Sequence, residues 1–122
     1  MNIGVVGSRS FHDYEQLKDV LDREIERARL YKPDKNIRIV SGGARGADTL
    51  ARRYAYSRVD VEYTEHKPDW KKYGRKAGIV RNIEVINSSY KLIAFWNGKS
   101  KGTKHVIVAA RQAGKNVRVV GF

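Results

Sequence analysis

Between an apolar run that ends at Val40 and a helix-like stretch that begins near Ala47, the chain reads Ser41-Gly42-Gly43-Ala44-Arg45-Gly46-Ala47-Asp48. A serine, three glycines and an arginine at such a junction describe a backbone that can close on a phosphate and a charge that can hold it. A glycine pair after a strand is usually no more than a tight turn, so recurrence carries the signal. Similar junctions stand at Val6-Gly7-Ser8-Arg9-Ser10 and at Trp96-Asn97-Gly98-Lys99-Ser100-Lys101-Gly102-Thr103, again after apolar stretches and before helical patterns. Three such loops invite one shared site for a nucleotide-type ligand.

Each residue type in those loops has a physical use. Gly42, Gly43 and Gly46 let the backbone approach a ligand, and Gly102-Thr103 does the same with a hydroxyl added. Arg9, Arg45 and Arg81 are the forks to aim at phosphate or carboxylate, with Asn82 beside the last. Asp48, one turn into its helix, is placed either to accept hydrogen bonds from a ribose or to complement the helix dipole. Trp70, Tyr73 and Trp96 can stack on a base or simply pack; Trp96, beside a glycine loop, is the better placed. Two familiar motifs are absent. Gly98-Lys99-Ser100 lacks the preceding glycine of a Walker A loop, and Gly4-Val5-Val6-Gly7 does not have the dinucleotide spacing. There is no cysteine, and His12, His66 and His105 show no ligand spacing, so neither a metal nor a cofactor is expected.

The elements that must position these residues alternate. Asn2 to Gly7 reads as a buried strand. Asp13 caps a helix over Tyr14 to Tyr31, with Gln16 in the reciprocal place of a capping box. Leu17, Val20, Leu21, Ile25 and Ala28 face inward there, and Glu15, Asp19, Asp22, Glu26 and Arg29 face out. Ile37 to Ser41 is the second strand. Ala47, Leu50, Ala51 and Tyr54 mark a short helix, and Val59 to Thr64 a third strand. Glu65 to Tyr73 shows no period and reads as a surface loop and candidate lid. Arg75 to Ser88 is a helix with Ile79, Ile83 and Ile86 on its apolar stripe and Arg81-Asn82 partly off it. Lys91 to Trp96 is a fourth strand, Thr103 to Ala113 a helix with Val106, Ala109, Ala110 and Ala113 inward, and Asn116 to Phe122 a fifth strand. Such alternation implies an α/β fold: a Rossmann-like open parallel sheet of about five strands, in the order 3-2-1-4-5, with helices on both faces. Ligands settle beyond the carboxyl ends of such strands, where the strand order reverses, and the three loops share that edge.

At 122 residues the chain fits one domain, 1–122, folding alone or as a small homo-oligomer. Its longest apolar runs are far short of the roughly 20 residues that cross a bilayer. It opens on a strand rather than a leader, so the expectation is a cytoplasmic protein without a membrane partner. The net charge of +12 is lopsided: residues 1–69 hold 13 Lys/Arg against 12 Asp/Glu, and residues 70–122 hold 12 against Glu84 alone. That half suits phosphorylated small molecules or a nucleic acid, or is simply a solvated face.

Gly7-Ser8-Arg9 with Phe11 and Asp13, the Ser41 to Asp48 run, Asp69-Trp70 with Tyr73-Gly74, Ala77-Gly78 and Arg81-Asn82, and Trp96 to Thr103 together resemble the YspA-like branch of the SLOG superfamily. The four blocks come in the family's order across nearly the whole chain. The resemblance implies a Rossmann-like fold and a nucleotide-derived ligand. The superfamily includes DprA, which binds single-stranded DNA, and the LOG phosphoribohydrolases, which release bases from nucleotides; others are thought to sense NAD-derived or ADP-ribose-like ligands in bacterial and phage conflict. The LOG pattern P-G-G-x-G-T-x-x-E places a glutamate three residues after the threonine, where this chain has Val106, while Arg81 matches the arginine of the other LOG motif. The resemblance therefore points to a sensor or sequestering protein for an ADP-ribose-like or related nucleotide. A nucleotide N-glycosidase using Asp48 and Arg81, and a DprA-like single-strand binder acting through the basic half, are the competing readings.

Overall fold

A computed structural model describes residues 1–122. Its elements in order are β1 (Asn2–Gly7), α1 (Tyr14–Tyr31), β2 (Ile37–Ser41), α2 (Ala47–Tyr56), β3 (Val61–Glu65), α3 (Trp70–Tyr73), a single 3₁₀ turn (Gly74–Lys76), α4 (Ala77–Ser88), β4 (Lys91–Trp96), α5 (Lys101–Gln112) and β5 (Asn116–Gly121). All five strands are parallel in the order β3-β2-β1-β4-β5. The central pair explains itself: Ile3 to Val6 and Leu92 to Phe95 are buried throughout, as strands covered on both faces require.

Each face has its own core. Under α1 and α2, Leu17, Leu21, Ile25, Ala51 and Tyr54 meet Ile3, Val5, Ile39 and Phe95. Under α4 and α5, Val85, Ile86, Val106, Ile107 and Ala110 meet Val6, Val40, Leu92 and Ala94. Each fully buried Leu, Ile, Val or Phe side chain among these stabilises the fold by roughly 1.5–3 kcal/mol before entropy is subtracted. Gly7 lets α2 start directly on the sheet, since a Cβ there would stand 2.6 Å from Ala47 Cβ and 2.7 Å from the Phe95 carbonyl. Glu24 is 4% exposed yet charged: its two oxygens each accept a 2.8 Å hydrogen bond, one from Lys91 Nζ and one from Arg118 Nη1, tying α1 to β4 and β5.

Several details depart from the sequence reading. The Asp13 carboxylate accepts the Gln16 N–H, but the Gln16 side chain reaches Gly121 O, so only half the capping box forms. The third strand is shifted to Val61–Glu65, and β5 stops at Gly121. The expected loop is interrupted by α3, which Asp69 caps through the Lys72 N–H. The Arg75 start is replaced by the 3₁₀ turn, and α4 begins at Ala77. On α4 it is Ala77, Val85 and Ile86 that are buried, while Ile79 and Ile83 are 49% and 45% exposed. Ala77, fully buried, lets α4 lie close with a different face inward, and the two isoleucines turn out. Within α5 Ile107 is buried, and Ala113, which lies just past the helix end at Gln112, is exposed. Asp22 is half-buried rather than on the outer face, accepting from Tyr54 Oη and Arg58.

Candidate ligand cleft at the carboxyl edge of the sheet

The β1–α1, β2–α2 and β4–α5 loops converge with α4 on a cleft of about 480 Å³ at the β1/β4 reversal. Gly7, Ser8, Arg9, Ala44, Asp48, Arg81, Asn82, Ser100, Gly102 and Thr103 line it, joined by Val6, Ser10, Asn97 and Val106. The other expected ligand residues, Ser41, Gly42, Gly43, Arg45, Gly46, Gly98, Trp70 and Trp96, do not line it, and the reasons are local.

The Ser41–Asp48 loop closes on an internal anion. Gly42 N and Ala44 N donate to Asp48 Oδ2 at 3.0 and 3.2 Å. Ser41 Oγ turns the other way, 2.6 Å from Tyr63 Oη, which donates to Glu65 Oε1 at 2.8 Å. Gly43 has φ +72° and rests on Glu65, and Gly46, φ +79°, packs so tightly that a Cβ would meet Ser8 O at 2.4 Å. These glycines hold the loop's shape. Arg45 is exposed outside the cleft.

Asp48 itself is 5% exposed. Burial pushes its carboxyl up to about 6, against the opposing pull of the Ala44 and Gly42 N–H groups and the Arg81 charge. Only Oδ2 is engaged by the protein. No buried side-chain oxygen lacks a partner, so Oδ1 opens to the cleft. Opposite it, Arg81 donates from Nε to Asn82 Oδ1 at 2.9 Å and from Nη1 to Gly42 O at 3.1 Å, leaving Nη2 without a partner.

The β4–α5 loop is prefolded by its own side chains. Asn97 Oδ1 accepts from Lys99 N and Ser100 N, each at 2.9 Å, and Ser8 Oγ accepts from Asn97 N at 3.4 Å. Gly98 supplies the positive φ of that turn. Ser100 is the N-cap of α5, accepting from Thr103 N. Because α5 starts at Lys101 rather than at Thr103, Gly102 sits in its first turn. The Lys101 and Gly102 N–H groups take no protein acceptor, which leaves two amide donors at the positive end of the helix. A Cβ on Gly102 would meet nothing within 4 Å, so no contact within the protein explains a glycine there.

The aromatic residues fall elsewhere. Trp96 packs against the α4/α5 core and donates from Nε1 to Ser100 O at 3.0 Å, so it braces the loop instead of facing the cleft. Trp70 is 60% exposed and lies over Gly78, one turn before Arg81. Ser10 and Asn97 stand in the loops the sequence points to but carry no role of their own there, although Asn97-Gly98 is a turn signal and both residues line the cleft. Val106, 3% exposed, presents an apolar wall beside Thr103. Among the ionisable residues of the chain, no group of three or more His, Asp or Glu is arranged to hold a metal ion.

A five-stranded parallel sheet in this order, with a cleft at the reversal and a glycine-rich loop after its second strand, defines a Rossmann-like class of protein. Within that class the family model described as YspA, cpYpsA-related SLOG family matches residues 1–73, and the chain belongs to that family. It is also similar to Gene 61 protein of Mycobacterium phage D29, 35% identical over 123 aligned positions that cover 97% of this chain and 93% of that protein. No solved structure matches the chain. No helix is long and apolar enough to cross a membrane.

Proposed function

We propose that the cleft binds a nucleotide-derived small molecule, ADP-ribose-like or a related nucleotide, and that the protein acts as its sensor or sequestering protein. The observation that carries this is that Asp48, Arg81 and Gly102 line one cleft and each brings a group the protein leaves unused, Asp48 Oδ1, Arg81 Nη2 and the Gly102 amide, with the unpaired Lys101 amide next to the last. A phosphate at the start of α5 meets two N–H donors and the Arg9 and Arg81 cations. A ribose hydroxyl donates to Asp48 Oδ1. The glycine loop, already satisfied by Asp48, positions that carboxylate and leaves phosphate binding to α5. Val106 in place of the LOG glutamate favours binding without hydrolysis. Thermal denaturation with AMP, ADP-ribose and NAD tests this: one of them should raise the melting temperature of the wild type and not of Arg81→Ala. No shift with any nucleotide would sink it.

One observation favours a second reading, a nucleotide N-glycosidase. A buried carboxyl poised near 6 beside an arginine is suited to acid–base work or to steadying an oxocarbenium-like ribose. In that reading Asp48 faces the sugar, and Arg81 with the α5 amides holds the departing ribose phosphate. Chromatography after prolonged incubation with AMP decides it: free adenine supports the enzyme, and intact AMP supports the binder.

A further inference from the structure

The net charge is distributed by layer. The segments on the α3–α5 side, residues 66–89 and 97–115, hold 11 Lys/Arg against two Asp/Glu. The segments on the α1–α2 side, residues 8–36 and 42–60, hold 11 against nine. Pairing follows the same division. On the α1–α2 side Lys18, Arg29, Arg52 and Arg58 all meet carboxylates. On the α3–α5 side no lysine or arginine does; the Glu84 carboxylate lies 3.4 Å from His66 Nδ1, and Asp69 is occupied capping α3. Lys67, Lys71, Lys72, Arg75 and Lys76 surround α3, and Lys99, Lys101, Lys104 and Arg111 lie along α5, all exposed. Lysines left without counter-charges at such density repel one another, and a polyanion relieves that repulsion.

The same layer exposes flat and apolar side chains among its cations: Trp70, Tyr73, Ile79 and Ile83. On α3 the aromatic residues bracket Lys71 and Lys72 in the sequence, and Lys72 Nζ lies 5.1 Å from the Tyr73 ring centroid. Duplex nucleic acid offers no unstacked base to such rings, whereas a single strand offers both phosphates and free base faces. Lys101, Lys104 and Arg111 lie along about 15 Å of helix, long enough to follow several nucleotides.

We infer that the α3–α5 layer is a binding surface for single-stranded nucleic acid, with Trp70 as a base-stacking platform and the α3 and α5 cations as its phosphate track. This surface adjoins the small-molecule cleft at the start of α5, but Trp70, Lys72 and Lys104 do not line the cleft, so substitutions there test the surface without altering the cleft wall.

The test is fluorescence anisotropy of labelled dT20 and U20 at 50 and 200 mM salt, read alongside Trp fluorescence. Neutralising roughly four phosphates should lower affinity about 50-fold between those salt concentrations. The exposed Trp70 emission should be quenched on binding, and Trp70→Leu should lose at least about fivefold in affinity, the lower end for one stacked base. Lys72→Glu with Lys104→Glu should weaken binding at least tenfold. Arg23→Glu with Lys35→Glu, which changes net charge equally on the opposite layer, should weaken it several-fold less. Melting curves of each variant confirm folding. Equal losses in the two double variants, or a flat salt dependence, would overturn the proposal. So would a 20-residue polyglutamate or phosphatidylserine vesicles binding as tightly as dT20, or no binding of either oligonucleotide at 50 mM salt.

Discussion

Arg81 occupies the space that a side chain on Gly42 would need: a Cβ there would stand 2.2 Å from Arg81 Cδ, and Arg81 Nη1 donates to the Gly42 carbonyl at 3.1 Å. This contact joins α4 to the glycine loop and fixes the guanidinium at the cleft wall. Gly42→Ala should therefore expel the arginine. The variant should bind a nucleotide ligand as poorly as Arg81→Ala does, and isothermal titration of the two side by side checks it.

Gly102 separates ligand binding from folding by sign. A glycine in a helix is about 1 kcal/mol less favourable than alanine, and here the added methyl meets no protein atom. Gly102→Ala should raise stability by several tenths of a kcal/mol in urea unfolding. It should also weaken ligand binding by crowding the phosphate against the α5 amides. Increased stability with undiminished binding would remove phosphate from that helix end.

Asp48 sets a pH dependence with an unusual sign. Its carboxyl stands at about 6 in the folded protein against 3.8 as the ordinary value, so the native state holds the proton more tightly than the unfolded chain. Its contribution to stability is present below about 4 and is lost as the pH rises to about 6, amounting to at most about 3 kcal/mol. Asp48→Asn keeps an oxygen for Gly42 N and Ala44 N but removes the titration. The wild type should lose stability relative to Asp48→Asn between pH 4 and 6 and differ from it by a constant amount above pH 7. Parallel curves across that range would show that the carboxyl is not perturbed. At pH 7.5 the same variant should bind a ribose-containing ligand more weakly, since a carboxamide is the poorer acceptor.

Glu24 behaves in the opposite way. Burial raises its carboxyl, but the Lys91 and Arg118 hydrogen bonds prevail and hold it below the usual glutamate range. Glu24→Gln leaves two cations at the foot of the sheet without their counter-charge and should cost about 3 kcal/mol, measured by chemical unfolding at pH 7. The wild-type advantage should be full above the ordinary glutamate pKa and decline as the pH falls through the depressed one.

The sheet was legible because its strands are apolar runs punctuated by glycine, and alternating elements allow few topologies. β1, α1, β2 and β4 fall where periodicity puts them. Periodicity held only in part on α4: Ile86 is buried as its stripe predicts, whereas Ile79 and Ile83 turn outward because Ala77 and Val85 take the inward face. Glu24 stands on the Leu17–Leu21–Ala28 stripe of α1, and its partners Lys91 and Arg118 lie too far along the chain for spacing to reveal them. At the site, the loops could be read but their internal bonding could not. Nothing in Ser41 to Asp48 says that the loop amides are taken by the loop's own aspartate, or that Trp96 braces a turn while Trp70 stays exposed.

The most direct measurement is the melting temperature of the wild type and Arg81→Ala with AMP, ADP-ribose, cyclic ADP-ribose, NAD and cyclic dinucleotides, at 50 and 500 mM salt. A small ligand that touches few charges should stabilise the wild type by several degrees at both salt concentrations, with the shift lost in Arg81→Ala. No shift with any of these compounds, or one that survives in Arg81→Ala, would contradict a nucleotide site in the cleft.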